Sequence, residues 1–172
     1  MNLAEYIRDI PDFPKPGIVF KDITPLLLDP AALDQAVGSL ADWARPRSVD
    51  YVLAAEARGF ILGAALALEL DAGFVPARKP GKLPADTISA EYILEYGVDA
   101  LEMHADALAH GARVLIHDDL LATGGTARAL AELVEELGGS VVGMAFLVEL
   151  GFLEGRSRLE GFDVCALIGY ED

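Results

Sequence analysis

Cysteine is nearly absent from this chain of 172 residues: Cys165 stands alone. An intrachain disulfide is thereby excluded, and the apolar setting "VCALI" marks the thiol as core filler rather than a nucleophile. Bases are scarce too, 13 against 28 acids for a net charge of −15, a balance that argues against a nucleic-acid-binding surface. Long apolar runs are missing although apolar residues make up 53% of the chain. The longest candidate, residues 60–70, is too short for a membrane span and contains Glu69. No linker, repeat or low-complexity tract divides the sequence, which predicts one domain over residues 1–172. The stretch "MNLAEYIRDI" carries acids and no basic leader, so the expected compartment is the cytoplasm.

What is present is an alternation of two periods. Residues 3–10 read as a short helix, and "PDFPKPG" reads as irregular chain because its three prolines fix φ and remove donors. Pro30 opens a helix with Leu33, Val37, Leu40 and Trp43/Ala44 on its core face, ending at Pro46. "YVLAA", "AGFVPA" and residues 113–117 read as strands, residues 59–70 and 126–137 as helices, and further strands are expected near 141–148 and 164–168. This order predicts an α/β fold, a mostly parallel, twisted sheet of about five strands flanked by helices. From about residue 78 to 104, turn residues and alternation predict a loop feeding a β-ribbon, a hood that would keep water from a reactive centre.

The chemistry concentrates in "VLIHDDLLATGGTA", residues 114–127. Apolar strand residues give way to two acids, then to a small-residue turn that starts a helix whose Glu132, Glu135 and Glu136 face away from its apolar side. In open α/β sheets ligands bind at this strand-to-helix junction. Gly124 and Gly125 allow backbone N–H groups to converge on an anion at the positive end of the helix dipole, and Thr123 and Thr126 add hydroxyl donors. Asp118 and Asp119 would repel a bare phosphate, but they suit a ligand that also presents hydroxyls or carries a divalent cation. A sugar phosphate meets both demands. His117 reads as a neutral strand histidine with one hydrogen bond. "AAEARGF", residues 54–60, repeats the strand, turn and helix order, and its N–H groups with Arg58 offer a second anion site on the same sheet edge. Arg78, Lys79 and Lys82 in "ARKPGK" concentrate positive charge on an acidic background.

Residues 114–127 resemble the 5-phosphoribosyl-1-pyrophosphate (PRPP) signature of type I phosphoribosyltransferases. The resemblance implies that fold, with Asp118 and Asp119 on the ribose hydroxyls and Ala122, Thr123, Gly124, Gly125 and Thr126 on the 5-phosphate. It implies a pyrophosphate loop at Glu56, Ala57 and Arg58 with a strained or cis peptide. "RKPGKLP" and "LEYG" are similar to the hood of the adenine-specific branch, which gives Glu95 an acid/base role at the purine and Tyr96 a role in closing the loop. "PDFPKPGIVFKDITPLL" agrees with the same branch: the resemblance implies that its prolines present the Val19 backbone to a base edge and the Phe20 ring to its face, with Arg58 and Tyr96 also among the base-binding residues. Lys21 stands where some relatives have Arg, which weakens any bidentate phosphate contact there.

The expected activity is purine salvage, adenine plus PRPP giving AMP and pyrophosphate. Mg²⁺ would ride on the substrate without direct protein ligands. Arg78, Lys79 and Lys82 would steady the leaving pyrophosphate, in cis or from a neighbouring subunit. The resemblance alone implies a homodimer; the expected partners are adenine and PRPP, with no nucleic acid and no membrane. The rivals are a phosphoribosyltransferase for xanthine or guanine, and a non-catalytic PRPP-sensing regulator. Without the family, Glu95 is an exposed strand carboxylate, Arg58 a surface residue and Phe20 a core anchor. Residues beyond Gly151 give no functional signal.

Overall fold

The computed structural model describes residues 1–94 and 97–172. A 3-10 turn at Leu3–Tyr6 leads into β1 (Arg8–Pro11), which pairs antiparallel with β2 (Val19–Asp22). The helix expected over residues 3–10 is therefore corrected to a turn and a strand. β1 is set by long-range pairing, reinforced by Arg8–Asp22 at 2.6 Å and Lys21–Asp9 at 2.8 Å, which local periodicity does not register. The chain continues through α1 (Thr24–Leu28), α2 (Pro30–Ala44), β3 (Tyr51–Ala55), α3 (Gly59–Glu69) and β4 (Gly73–Ala77). It then forms β5 (Thr87–Leu94), β6 (Gly97–His104), β7 (Arg113–Leu121), α4 (Gly125–Glu136), β8 (Ser140–Leu150) and β9 (Val164–Tyr170).

Five strands form the parallel sheet in the order β4-β3-β7-β8-β9, as the alternation of strand and helix requires. One face packs on α2 and α3 through Leu40, Leu62, Leu66, Val52, Leu115 and Leu147. The other packs on α4 through Leu130, Leu133 and Val134 against Leu53, Ile116 and Phe146. Asp29 Oδ1 accepts Ala32 N–H at 2.9 Å, capping α2, and Pro30 needs no donor at its first position. Burial on α2 follows Ala32, Ala36, Leu40 and Ala44, with Leu33, Val37 and Trp43 packed at the flanks. Its small alanines let the helix approach the sheet closely, so the core stripe lies one position from the bulkier residues.

The β-ribbon is the β5–β6 hairpin, and Arg78 bridges to Glu102 at its base. Ala90, Leu101 and Met103 are buried in the α4 side of the core, while Ile93 and Val98 near the far end are exposed. The hood is thus rooted in the core rather than appended to it. Among the described residues no helix is long and apolar enough to cross a membrane.

Candidate active site

β7 does not stop at the acids. Asp118 pairs with Phe146, Leu120 with Val148 and Leu121 with Glu149, so the strand extends past the expected boundary of residue 117. A polar side chain ends an apolar run in sequence, but the backbone ladder continues as long as β8 offers partners. The carboxylates consequently sit within a strand, which fixes their direction. Asp118 Oδ1 accepts the Asp119 N–H at 2.9 Å, and Asp119 is buried with its Oδ2 3.1 Å from Arg58 Nε. Burial first, and the charge of Asp119 second, push Asp118 well above the usual carboxylate range, while Arg58 acts the other way. Hydroxyl donors or a cation arriving at this pair would favour the ionised form.

Past the acids, Gly124 takes φ +85° and α4 starts at Gly125 with no side-chain cap. α3 likewise starts after Arg58 without one, and the Glu56–Ala57 peptide before it is cis. α4 therefore leaves its first N–H groups for a ligand. At α3 the Phe60 and Ile61 N–H groups donate to the Ala57 and Arg58 carbonyls at 3.2 Å, so the donors left at that edge of the sheet are those of the turn before the helix. Arg58, Phe146 and the stretch 118–127 enclose a cavity of about 190 Å³. Its size is below the roughly 300–1,000 Å³ of drug-sized sites.

Asp118, Asp119, Ala122, Thr123, Gly124, Gly125, Thr126 and Arg58 line this one cavity. Phe20 reaches it indirectly: the Arg58 guanidinium carbon lies 4.8 Å from its ring centroid, with Phe13 edge-on at 5.2 Å. Val19 is half exposed on β2 beside it. Lys21 turns to Asp9 and stacks 3.9 Å from the Tyr170 ring centroid.

The basic cluster lies elsewhere. Glu56 Oε1 accepts Arg78 Nε at 3.2 Å and Lys79 N–H at 2.8 Å, so the Glu56 side chain holds the basic loop. Lys79 Nζ bonds Asp99 and the Tyr92 hydroxyl on the hood. Lys82 is exposed, and none of the three bases lines the cavity. Glu95 and Tyr96 lie outside the described residues. His117 is fully buried, its Nδ1 2.8 Å from the Ala145 carbonyl oxygen and its Nε2 without a partner among the described residues. Burial lowers its pKa to about 4, so the ring is neutral.

Sequence reasoning missed what lies behind the loop. A Cβ at Gly124 would stand 2.5 Å from the Gly155 carbonyl oxygen and 3.3 Å from Arg158 Cβ. The 3-10 segment Gly155–Leu159 is thus packed on the loop, and residues after Gly151, which carried no signal, support the site. Gly155 itself was the one available clue, since its side-chain-free backbone abuts Ala122.

The protein-family model for the phosphoribosyl transferase domain matches residues 27–160. Adenine phosphoribosyltransferase from Kosmotoga olearia is 57% identical over 170 residues, covering 99% of this chain and 100% of that protein. The crystal structure of adenine phosphoribosyltransferase from Thermoanaerobacter pseudethanolicus superposes with a TM-score of 0.95 at 56% identity, over 98% of each chain. The Saccharomyces cerevisiae enzyme, complexed with an imino-altritol bisphosphate and adenine, does so with a TM-score of 0.92 at 39% identity, over 96% of each chain. With two adjacent carboxylates, an uncapped glycine loop and a second uncapped helix at one sheet edge, this chain belongs to the adenine phosphoribosyltransferase family.

Proposed function

We propose that this protein transfers the 5-phosphoribosyl group of PRPP to adenine, releasing AMP and pyrophosphate. The observation that carries the reading is the single cavity that joins Asp118 and Asp119 to the uncapped N-terminus of α4. Asp118 and Asp119 accept the ribose hydroxyls, and the N–H groups of residues 123–126 with the two threonine hydroxyls receive the 5-phosphate. The pyrophosphate loop of Glu56, Ala57 and Arg58 offers its donors at Ala57 and Arg58, because Glu56 N–H already donates to the Ala77 carbonyl at 3.0 Å; a pyrophosphate there leaves the sugar held at both ends with its anomeric carbon between them. Arg58, stacked on Phe20 and paired with Asp119, ties the base side to the sugar side. Glu95 assists the proton at the purine and Tyr96 closes the hood over it.

Adjacent carboxylates fit a Mg²⁺ ion that arrives on PRPP, and among the described residues no cluster of three or more ligating side chains stands ready to cage one. When bound, the ion neutralises charge on the departing pyrophosphate. Arg78, Lys79 and Lys82 add to that neutralisation once Lys79 leaves Asp99, or from a second copy. A homodimer is part of the proposal: α3 has no polar side chain before Glu69, and Ile61 and Leu68 on it are exposed. The free thiol Cys165 suits a reducing compartment, and we place the enzyme in the cytoplasm.

Base choice follows from hydrogen-bond order. Adenine offers a 6-amino donor beside an N1 acceptor; hypoxanthine and guanine offer the reverse. A backbone segment at Val19 with fixed carbonyl and N–H satisfies one order, and a polar group left unpaired discriminates by about 10⁴- to 10⁵-fold. Incubation with PRPP, Mg²⁺ and a panel of free bases, followed by identification of the nucleotide, tests this. AMP is expected; equal turnover of hypoxanthine or guanine would remove the adenine reading, and no nucleotide with any base would favour a PRPP sensor.

A further inference from the structure

We infer that Arg158, on the 3-10 segment behind the glycine loop, supplies the positive charge that balances the 5-phosphate. The inference rests on the assignment of that loop to the 5-phosphate. A monoester phosphate entering a protein of net charge −15, beside two carboxylates, needs a cation near it. The expected bases serve less well: Arg78 and Lys79 are engaged with Glu56 and Asp99, Arg58 is paired with Asp119, and Lys82, though exposed, is not among the nearest atoms to the glycine loop, where Arg158 stands.

Arg158 Nη1 stands 3.6 Å from a Cβ built on Gly125, the first residue of α4. Gly125 faces both the cradle and a second, outer cavity of about 480 Å³, which Arg158 lines together with Tyr92 and Arg128. Glu91 and Glu132 border that outer cavity, yet among the described residues Arg158 forms no ion pair; Glu132 lies 3.8 Å from Arg128 instead. A guanidinium beside the positive end of a helix is repelled there, and an anion between them reverses the sign. Arg156, two residues earlier on the same segment, is the contrast: both its Nε and Nη2 meet Glu149 at 2.8 Å, so its charge is spent on holding the segment. The two arginines divide the work. Arg156 anchors the segment, and Arg158 presents its charge at the loop.

The phosphate lies far from the reacting carbon, so its binding is shared by ground state and transition state. Loss of Arg158 should raise the KM for PRPP and leave kcat and the KM for adenine unchanged. Because the side chain is exposed, a contact to a charged group is discounted, and roughly 5- to 20-fold is expected. The test is calorimetric titration with ribose 5-phosphate, with steady-state kinetics, for the wild type and for Arg158→Gln, Arg158→Met and Arg158→Lys. The two neutral variants should weaken ribose 5-phosphate by that factor with unchanged melting temperature, and the lysine variant should remain within about threefold of wild type because it keeps the charge. Wild-type affinity in both neutral variants would overturn the inference. So would equal losses for PRPP and adenine, which would mark Arg158 as a structural prop. If wild-type protein fails to bind ribose 5-phosphate, the cradle assignment falls, and this inference falls with it.

Discussion

Gly59 opens α3, and a Cβ there would stand 2.9 Å from Asp118 Oδ1 and 3.6 Å from its Cα and Cγ. Replacing a helical glycine by alanine ordinarily stabilises by about 1 kcal/mol. Here the methyl displaces a carboxylate oxygen that accepts Asp119 N–H at 2.9 Å. Losing that bond costs about 1 kcal/mol, so the two effects offset and Gly59→Ala should melt within a few degrees of wild type. Binding is another matter. A displaced Asp118 forfeits a ribose hydroxyl hydrogen bond to a charged group, about 1.5–3 kcal/mol, or roughly 10- to 150-fold in PRPP affinity. Calorimetric titration with PRPP and Mg²⁺, beside thermal melts, reads both quantities. Gly38→Ala on α2 is the control, since nothing lies within 4 Å of a Cβ there: it should gain stability and bind PRPP as wild type. Unchanged PRPP affinity in a folded Gly59→Ala protein would refute the assignment of Asp118 to the ribose.

Asp119→Asn keeps the shape of the side chain but removes the partner of Arg58, and PRPP affinity should fall by roughly tenfold or more in titration; wild-type affinity would dissolve the pair's role. Glu95→Gln should lower kcat by roughly 10²- to 10⁴-fold with a smaller change in adenine KM, and a wild-type rate would make Glu95 a surface group. His117 is held neutral by burial with its pKa at about 4 against an ordinary 6.5. Between those values the unfolded chain takes up a proton that the folded chain refuses, so stability falls as pH drops through the window, by up to about 3 kcal/mol. Denaturant melts of His117→Asn should show a shallower loss from pH 6.5 to 4 than wild type; identical slopes would contradict this account.

The strand, the carboxylate pair and the glycine turn are legible in the sequence because they are contiguous. In 114–127 a strand, two acids and a glycine turn follow one another, and each residue type already states its hydrogen-bonding capacity. The parallel sheet followed from the strand and helix periods for the same reason. By contrast, local periodicity reads residues 3–10 as helix, because the stability of β1 comes from β2 across a proline turn. The sequence pattern ends β7 at residue 117 because polarity changes at Asp118, while pairing with β8 continues.

From the sequence alone came the family, the fold class and the contiguity of the two carboxylates with the glycine turn, since local chemistry and periodicity are written along the chain. Tertiary structure decided which charges are available. Arg58 meets Asp119, Glu56 holds Arg78 and the Lys79 backbone, and Asp99 holds the Lys79 ammonium group, all between residues far apart in sequence. It also brought Gly155 and Arg158 against Gly124, turning a silent tail into the support of the glycine loop. A residue's type gives the charge it can offer; only folding determines whether that charge is already paired, because pairing depends on distances that the order of residues does not contain.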